Sequence, residues 1–315
     1  MKTQVLGQTG VEVSSLCLGA MYFGSRNDEA TSYRILDQYV AVGGSFIDTA
    51  NIYAMWVQGY HGGESETLLG KWMQERRNRQ HLFIASKVGF NYQDVPISLS
   101  ARWIEEECNK SLRRMNIETI DLYYAHCDDR ETPLEETLEA FNRLVKAGKV
   151  RFIGASNYLA WRLERAGWIS QTQGYPQYCC VQQRHTYLPI RPGASSGRQV
   201  VANKDLMDYC QHSGTTLLAY SALLSGAYTR ADRPLPGEYR SPDNEARLNT
   251  LRAVAQEIGA TVNQVILCWM RQSSPQVLPL IAASSEAQLA ENVGALNIEL
   301  SADQLNRLNT AGTAS

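Results

Sequence analysis

The sequence predicts a closed (β/α)8 barrel of parallel strands ringed by helices, preceded by a β-hairpin and followed by extra C-terminal helices, as one domain over residues 1–315. Three observations predict it. Short apolar runs alternate with longer amphipathic ones from end to end, the pattern of strands buried on both faces and joined by helical crossovers. No linker or low-complexity stretch divides the 315 residues, and about 250 residues or more suffice for eight such units to close on themselves. The competing arrangement, an open doubly wound sheet, would carry G-x-G-x-x-G after its first strand or a G-x-x-x-x-G-K-[ST] loop, and neither is present.

In chain order, Thr3–Val13 holds Gln8-Thr9-Gly10 between short apolar segments and reads as a hairpin plugging the barrel's N-terminal end. Strands follow at Leu16–Ala20, Ser45–Ala50, Leu82–Val88, Leu122–Cys127, Val150–Ser156, Tyr178–Gln183, Thr216–Ser221 and Val277–Ala283. Most are rich in β-branched or aromatic residues and bordered by Gly, Asn, Ser or Asp. Helical patterns fill the gaps at about Asp28–Val42, Ser65–Arg77, Ala101–Met115, Leu134–Lys146, Leu159–Ile169, Lys204–His212 and Thr261–Arg271. Asp28, Ser100 and Thr132 followed by Pro133 supply start signals. The segment Leu188–Gln199, with Pro189, Pro192, Gly193 and Gly197, reads as a loop: a mobile cover over a ligand or a plain surface connection.

Composition narrows the function classes. Thirty Lys and Arg against 32 Asp and Glu leave a formal net charge of −2, which gives no electrostatic reason to expect nucleic acid or an anionic membrane as partner. The seven cysteines are scattered and form no C-x-x-C pair, so a reducing compartment is expected rather than a disulfide framework. The N-terminus shows no apolar stretch of signal-peptide length, and nowhere do about 18 apolar residues run together. A cytoplasmic location is the expectation. His61, His81, His126, His185 and His212 form no H-E-x-x-H or similar spacing, so no metal is expected.

In such a barrel, chemistry sits where strands end. The second strand ends in Asp48, with Tyr53 in the next loop; the third ends near Lys87, the fourth at His126, the fifth in Ser156-Asn157, and the sixth carries Gln182 before His185. Singly, Asp48 could cap a turn, Tyr53 could be an ordinary aromatic and His126 a satisfied core histidine. Lys87 is harder to set aside, because burying an ammonium without a partner is costly. On one rim the four form a specific device. A lysine ammonium beside a phenol of pKa about 10 favours the phenolate and lowers that pKa. A carboxylate holds the lysine, and a neutral imidazole donates to a substrate oxygen. A general acid and an oxyanion donor suit carbonyl reduction, once hydride is supplied from elsewhere.

The chain resembles the aldo-keto reductases over nearly its whole length. The resemblance is carried by Phe46-Ile47-Asp48-Thr49-Ala50-Asn51-Ile52-Tyr53, Gly63-Glu64-Ser65-Glu66 with Leu69-Gly70, Ser86-Lys87-Val88-Gly89 and Asp121-Leu122-Tyr123-Tyr124-Ala125-His126. It continues through Gly148-Lys149-Val150-Arg151-Phe152-Ile153-Gly154-Ala155-Ser156-Asn157, Ala219-Tyr220-Ser221, and Ser284-Ser285 with Gln288-Leu289 and Glu291-Asn292. It implies Tyr53 as general acid or base, Lys87 as the partner that lowers its pKa, Asp48 as partner of Lys87, and His126 as the group that orients the carbonyl. Ser156, Asn157 and Gln182 would hold a nicotinamide carboxamide. Tyr220, Ser221, Leu223 and Ser225 would line the pyrophosphate, and Ser284, Gln288 and Asn292 the adenosine end. His185 stands where the family commonly places a tyrosine that stacks on the nicotinamide.

Further departures bear on the cofactor. Ala222 replaces the usual proline after Tyr-Ser, and Ala227 a frequent lysine. Ala282 occupies an often basic position and Gln288 a frequent arginine, which removes cations that would pair with a 2′-phosphate. Arg230 and Arg233 could substitute. NADP(H) is the expected cofactor, with NAD(H) as the alternative, and the expected partner is a small-molecule carbonyl or alcohol. Trp56, Tyr60 and His61, on a long loop after Tyr53, together with Phe23, would wall a pocket for polyols, sugars or aromatic aldehydes; equally, they would pack the loop onto the barrel. Two rival functions remain: an aldolase using Lys87 as a Schiff base, and a cofactor-binding sensor or auxiliary subunit with slow or vestigial reductase activity. The sequence leaves the oligomeric state open.

Overall fold

The computed structural model describes residues 1–195 and 197–312; Ser196, inside the expected 188–199 loop, and residues 313–315 lie outside the described residues. The chain opens with the hairpin of β1 (Thr3–Val5) and β2 (Glu12–Ser14), antiparallel with Thr3 opposite Ser14. Eight strands then close a parallel barrel: β3 (Cys17–Gly19), β4 (Phe46–Asp48), β5 (Phe83–Val88), β6 (Ile120–Ala125), β7 (Val150–Ser156), β8 (Tyr178–Arg184), β9 (Thr216–Tyr220) and β10 (Val277–Ile281), which pairs back onto β3. Each overlaps an expected run with ends shifted by at most two residues where it extends past it, because strands buried on both faces must be apolar almost throughout.

Helices α1 (Glu29–Ala41), α2 (Glu64–Arg76), α3 (Ala101–Met115), α4 (Leu134–Lys146), α5 (Ala160–Gln173) and α6 (Lys204–Ser213) stand where the patterns put them. So does α8 (Val262–Arg271), after α7 (Pro242–Glu257), which the sequence reading did not place; α9 (Glu286–Gly294) and α10 (Ala302–Thr310) are C-terminal. The start of α7 is nonetheless well signalled: Ser241 accepts from the Asn244 amide and Pro242 holds the first turn. The expected start signals differ in detail. Asp28 caps α1 through the Thr31 amide at 2.7 Å, Ser100 makes no side-chain cap bond, and the Thr132 hydroxyl donates to Asp129 at 2.6 Å instead of capping α4.

One alternation fixes what fills the barrel. Successive strand residues point to opposite faces, and the interior set is Cys17, Phe46, Phe83, Ala85, Leu122, Tyr124, Cys180, Leu218 and Leu278, sealed from below by Leu6 and Val13 of the hairpin. Gly154 belongs here because a Cβ would come within 2.8 Å of the Tyr124 ring. The other face packs against the helices in a second, larger core. No helix among the described residues is long and apolar enough to cross a membrane.

Candidate active site

The parity that makes Phe46, Ala85, Tyr124 and Cys180 interior carries on to Asp48, Lys87, His126 and Gln182 at the strand ends, so the polar groups noted in the sequence converge on one mouth. Lys87 is fully buried, and its ammonium uses all three donors: on Asp48 Oδ1, on the Thr49 carbonyl at 2.8 Å and on the Tyr53 hydroxyl at 2.7 Å. The other Asp48 oxygen accepts from Gln182 Nε2 at 2.9 Å, and the Tyr53 hydroxyl stands 3.4 Å from Asp48 Oδ1. The Lys87 ammonium also lies 4.5 Å from the centre of the Tyr53 ring. A buried charge persists only when paired and hydrogen-bonded in this way.

The protonation states correct one expectation. The Lys87 ammonium favours the phenolate, but burial and then the Asp48 carboxylate outweigh it and push Tyr53 well above its usual pKa of 10. Burial likewise pulls Lys87 down, against the opposing pull of Asp48. Tyr53 is thus a neutral phenol that keeps its proton at pH 7. Burial, and then the Lys87 charge, hold His126 well below the usual 6.5, so its ring is neutral. His126 Nδ1 is buried without a hydrogen-bond partner among the described residues. A bare lone pair costs less there than an orphaned N–H, which favours the proton on Nε2. The ring is fixed edge-to-face by Phe90, centroids 4.7 Å apart, and faces the Tyr53 ring at 6.1 Å.

Ser156, Asn157, Gln182 and Tyr220 form a second cluster beside the first. Ser156 Oγ donates to the Gln182 carbonyl at 2.8 Å. Asn157, in the left-handed region at φ 59°, donates from Nδ2 to the His126 carbonyl at 3.0 Å, while its Oδ1 accepts from the Val200 amide and, at 2.7 Å, the Tyr220 hydroxyl. After β9, the chain beyond Leu223 turns left-handed at Leu224, Ser225 and Gly226, as it did at Ser221 (φ 46°, 55°, 91° and 55°). Such turns aim backbone N–H groups into anion-binding concavities, and non-glycine residues there cost about 1–3 kcal/mol each. At the end of β10, the Ser284 amide and hydroxyl both donate to Gln288 Oε1 (2.8 and 2.9 Å), and Asn292 Nδ2 donates to the Ala282 carbonyl at 3.1 Å.

Four expected residues are not brought to the mouth. His185 falls on the opposite parity from Gln182, and its ring stacks on Trp269 of α8 with centroids 5.7 Å apart, so it does not face the cluster. Phe23 is buried in the outer core and exposes only 1% of its surface. Tyr60 lines a separate cleft with Gly24, Asp28 and Lys71. His61 is exposed, its amide bonded to Glu64 Oε1 at 2.7 Å. Trp56 alone of those loop residues meets the site, edge-to-face with Tyr53 at 6.0 Å and 43% exposed.

Sequence reasoning missed Phe90 and the polar scaffold behind the strand ends. Glu66, fully buried, accepts from Ser86 Oγ at 2.5 Å and from Arg114 Nε at 2.6 Å, tying α2 and α3 to the residue beside Lys87. Glu107 accepts from Asn51 Nδ2 at 2.8 Å, Lys110 at 2.7 Å and the Tyr92 hydroxyl. Burial pulls Glu107 upward, but these bonds outweigh it and hold the carboxyl below its usual range. The available signal was an acidic residue on the inward face of each helix, where an unpaired charge is not tolerated.

Residues 15–312 match the model of the Aldo/keto reductase family. The chain is 33% identical to the uncharacterized oxidoreductase YrpG of Bacillus subtilis over 98% of this chain and 95% of that one. It is 28% identical to the aryl-alcohol dehydrogenase GME11368 of Pestalotiopsis microspora over 95% of this chain and 78% of that one. Its fold superposes with a TM-score of 0.78 and 29% identity on the thermostable aldo-keto reductase Tm1743, solved in complex with the inhibitor epalrestat, covering 98% of this chain and 99% of that one. The parallel barrel, the polar groups gathered at its mouth and these likenesses place the chain in the aldo/keto reductase family.

Proposed function

We propose that the protein reduces the carbonyl of a small aldehyde or ketone to an alcohol, or runs the reverse, with Tyr53 as the proton donor and a soluble nicotinamide cofactor as the hydride source. The observation that carries this reading is a neutral Tyr53 hydroxyl held by a fully buried Lys87–Asp48 pair next to a neutral His126. In reduction, Tyr53 gives its proton to the oxygen that turns from carbonyl to alkoxide. Lys87 stabilises the phenolate left behind, which eases the proton transfer that burial and Asp48 oppose. His126 donates from Nε2 to the same oxygen and favours its developing charge. Asp48 keeps Lys87 charged and aimed.

The chain's own residues fit the cofactor. The left-handed turns at Ser221, Leu224, Ser225 and Gly226 suit a pyrophosphate, and Ser156, Asn157 and Gln182 suit a carboxamide. Tyr220, whose hydroxyl meets Asn157 at 2.7 Å, would stand beside the nicotinamide in the role expected of His185. When bound, the reduced nicotinamide supplies hydride. We propose NADP(H) first and NAD(H) second. Arg230 is ion-paired to Asp232 at 2.5 Å and Arg233 Nη1 bonds the Ser225 carbonyl at 2.8 Å, so a 2′-phosphate must compete for both. Trp56 and Phe90 at the mouth favour an aromatic or sugar-like carbonyl, and the seven free cysteines suit a reducing, cytoplasmic setting.

Fluorescence titration with NADPH and NADH, followed by absorbance assays over aromatic aldehydes, ketones and sugars, tests the proposal. Binding with turnover of a carbonyl supports it. Binding with negligible turnover of every carbonyl would favour a sensor, and no binding of either cofactor would reject the reading.

A further inference from the structure

Helix α3 turns Ile104, Cys108 and Leu112 inward, and among these apolar neighbours Glu107 is fully buried as well. An ionised carboxylate in such a place is a net cost unless hydrogen bonds occupy its oxygens. Lys110, on the same helix, binds Oε1 at 2.7 Å. Oε2 accepts two donors from outside the helix, Asn51 Nδ2 at 2.8 Å and the Tyr92 hydroxyl. Asn51 belongs to the segment that follows β4, and Tyr92 to the segment that follows β5.

Both segments carry parts of the candidate site. Asn51 lies between Asp48 and Tyr53, two residues before the phenol. Its Oδ1 is buried without a partner among the described residues, so the bond to Glu107 is what orients its amide. Tyr92 lies two residues after Phe90, whose ring braces His126 edge-to-face at 4.7 Å. Tyr53 and Tyr92 share one small apolar cluster with Ala50 and Ile52, and Phe90 packs against it. One carboxylate oxygen thus ties the segment bearing the phenol to the segment that braces the imidazole. The two segments also share a bond from Gln93 Nε2 to the His61 carbonyl at 3.0 Å, but that one is exposed to water.

We infer that Glu107 is a positioning residue for carbonyl reduction: through Asn51 and Tyr92 its carboxylate clamps the Tyr53 and Phe90 segments together and sets the spacing of Tyr53 from His126. The inference rests on the reductase activity proposed for Tyr53. Tyr53 and His126 must both reach one carbonyl oxygen, each within about 2.6–3.2 Å, and a misplacement of about 1 Å can cost about 10²-fold in rate. The clamp acts through the two loops, so its loss falls on turnover and leaves cofactor affinity unchanged.

Steady-state kinetics, with cofactor titration and urea unfolding beside them, test this. The assay uses saturating NADPH or NADH, whichever binds tighter, and whichever of benzaldehyde, acetophenone and glyceraldehyde the wild type reduces fastest. Tyr92→Phe and Asn51→Ala each release one side of the clamp and leave the carboxylate two bonds. Each should lower kcat about tenfold with the cofactor Kd unchanged, and the double variant should lose no more than the worse single, because one released side already frees the spacing. Glu107→Ala should match the double variant; if it does not fold, the two single variants and their double still decide. Glu107→Gln should restore kcat, because its amide oxygen can accept from both Asn51 and Tyr92 while Lys110 turns to water. Lys110→Met should lower stability yet keep kcat, since both sides of the clamp remain. Arm variants with wild-type kcat, losses that multiply in the double variant, or losses that follow stability across the series, Lys110→Met included, would overturn the inference while leaving the reductase reading intact. A wild type that binds cofactor and reduces none of the three carbonyls would overturn both.

Discussion

Replacing Asp48 by asparagine removes one charge at the bottom of the proposed site while keeping the shape of the side chain. In the native protein Asp48 and Lys87 are both wholly buried, Lys87 Nζ has its three acceptors, and Asp48 Oδ2 holds Gln182. Removing one member of such a pair leaves the other charge uncompensated, at a cost of about 3–5 kcal/mol. Asp48→Asn and Lys87→Met should therefore each lower the unfolding free energy by about that amount. The double variant, with no unpaired charge, should lose less than the sum of the two by roughly 2–3 kcal/mol. The Asp48→Asn cost should also depend on pH. Burial already holds the Lys87 pKa below its ordinary value, and without Asp48 it falls further. A depressed lysine binds fewer protons in the folded than in the unfolded chain, so its contribution recovers as pH rises towards about 10.4 and is worst below the folded pKa. Reversible urea unfolding of the four proteins at about pH 7 and about pH 9.5 measures this. Additivity within about 0.5 kcal/mol, or a cost of Asp48→Asn that grows with pH, would refute the reasoning.

Two further outcomes follow from other parts of the site. His185 is pushed down to about 4 by burial, whereas an unfolded histidine titrates near 6.5; its contribution is full above about pH 6.5 and drains as pH falls to about 4. His185→Phe, which keeps a ring on Trp269, should flatten the acid side of the stability–pH curve, and an unchanged slope across that window would contradict the assignment. Trp56→Ala should raise KM for aromatic carbonyls about tenfold with kcat little altered, because it removes wall contacts common to substrate and transition state. Small aliphatic carbonyls should be indifferent, and an equal loss on both would show that Trp56 only supports the loop.

The barrel was legible because one rule, apolar runs breaking into polarity at their ends, marks each buried parallel strand. Asp48, Lys87, His126, Ser156 and Gln182 were legible for the same reason, since strand ends carry their side chains to one mouth. The same alternation, applied from Gln182 to His185, would have put that histidine outside the barrel. Phe23, Tyr60 and His61 sit on loops whose course depends on contacts such as Glu64 with the His61 amide, and no periodicity records those. The net direction of the Tyr53 shift depends on depth of burial and on the nearness of Asp48, which no sequence pattern records. Glu66 and Glu107 looked like ordinary helix-surface acids until α2 and α3 folded them inward against Ser86 and Asn51.

Carbonyl reduction by wild type and Tyr53→Phe, assayed side by side with cofactor titration, tests the central claim most directly. The substitution removes the proton and leaves the ring against Trp56 and His126. Turnover should fall by about 10²–10⁴ while the Kd for the reduced cofactor stays within about twofold. Turnover equal to wild type would contradict the assignment of Tyr53 as the proton donor.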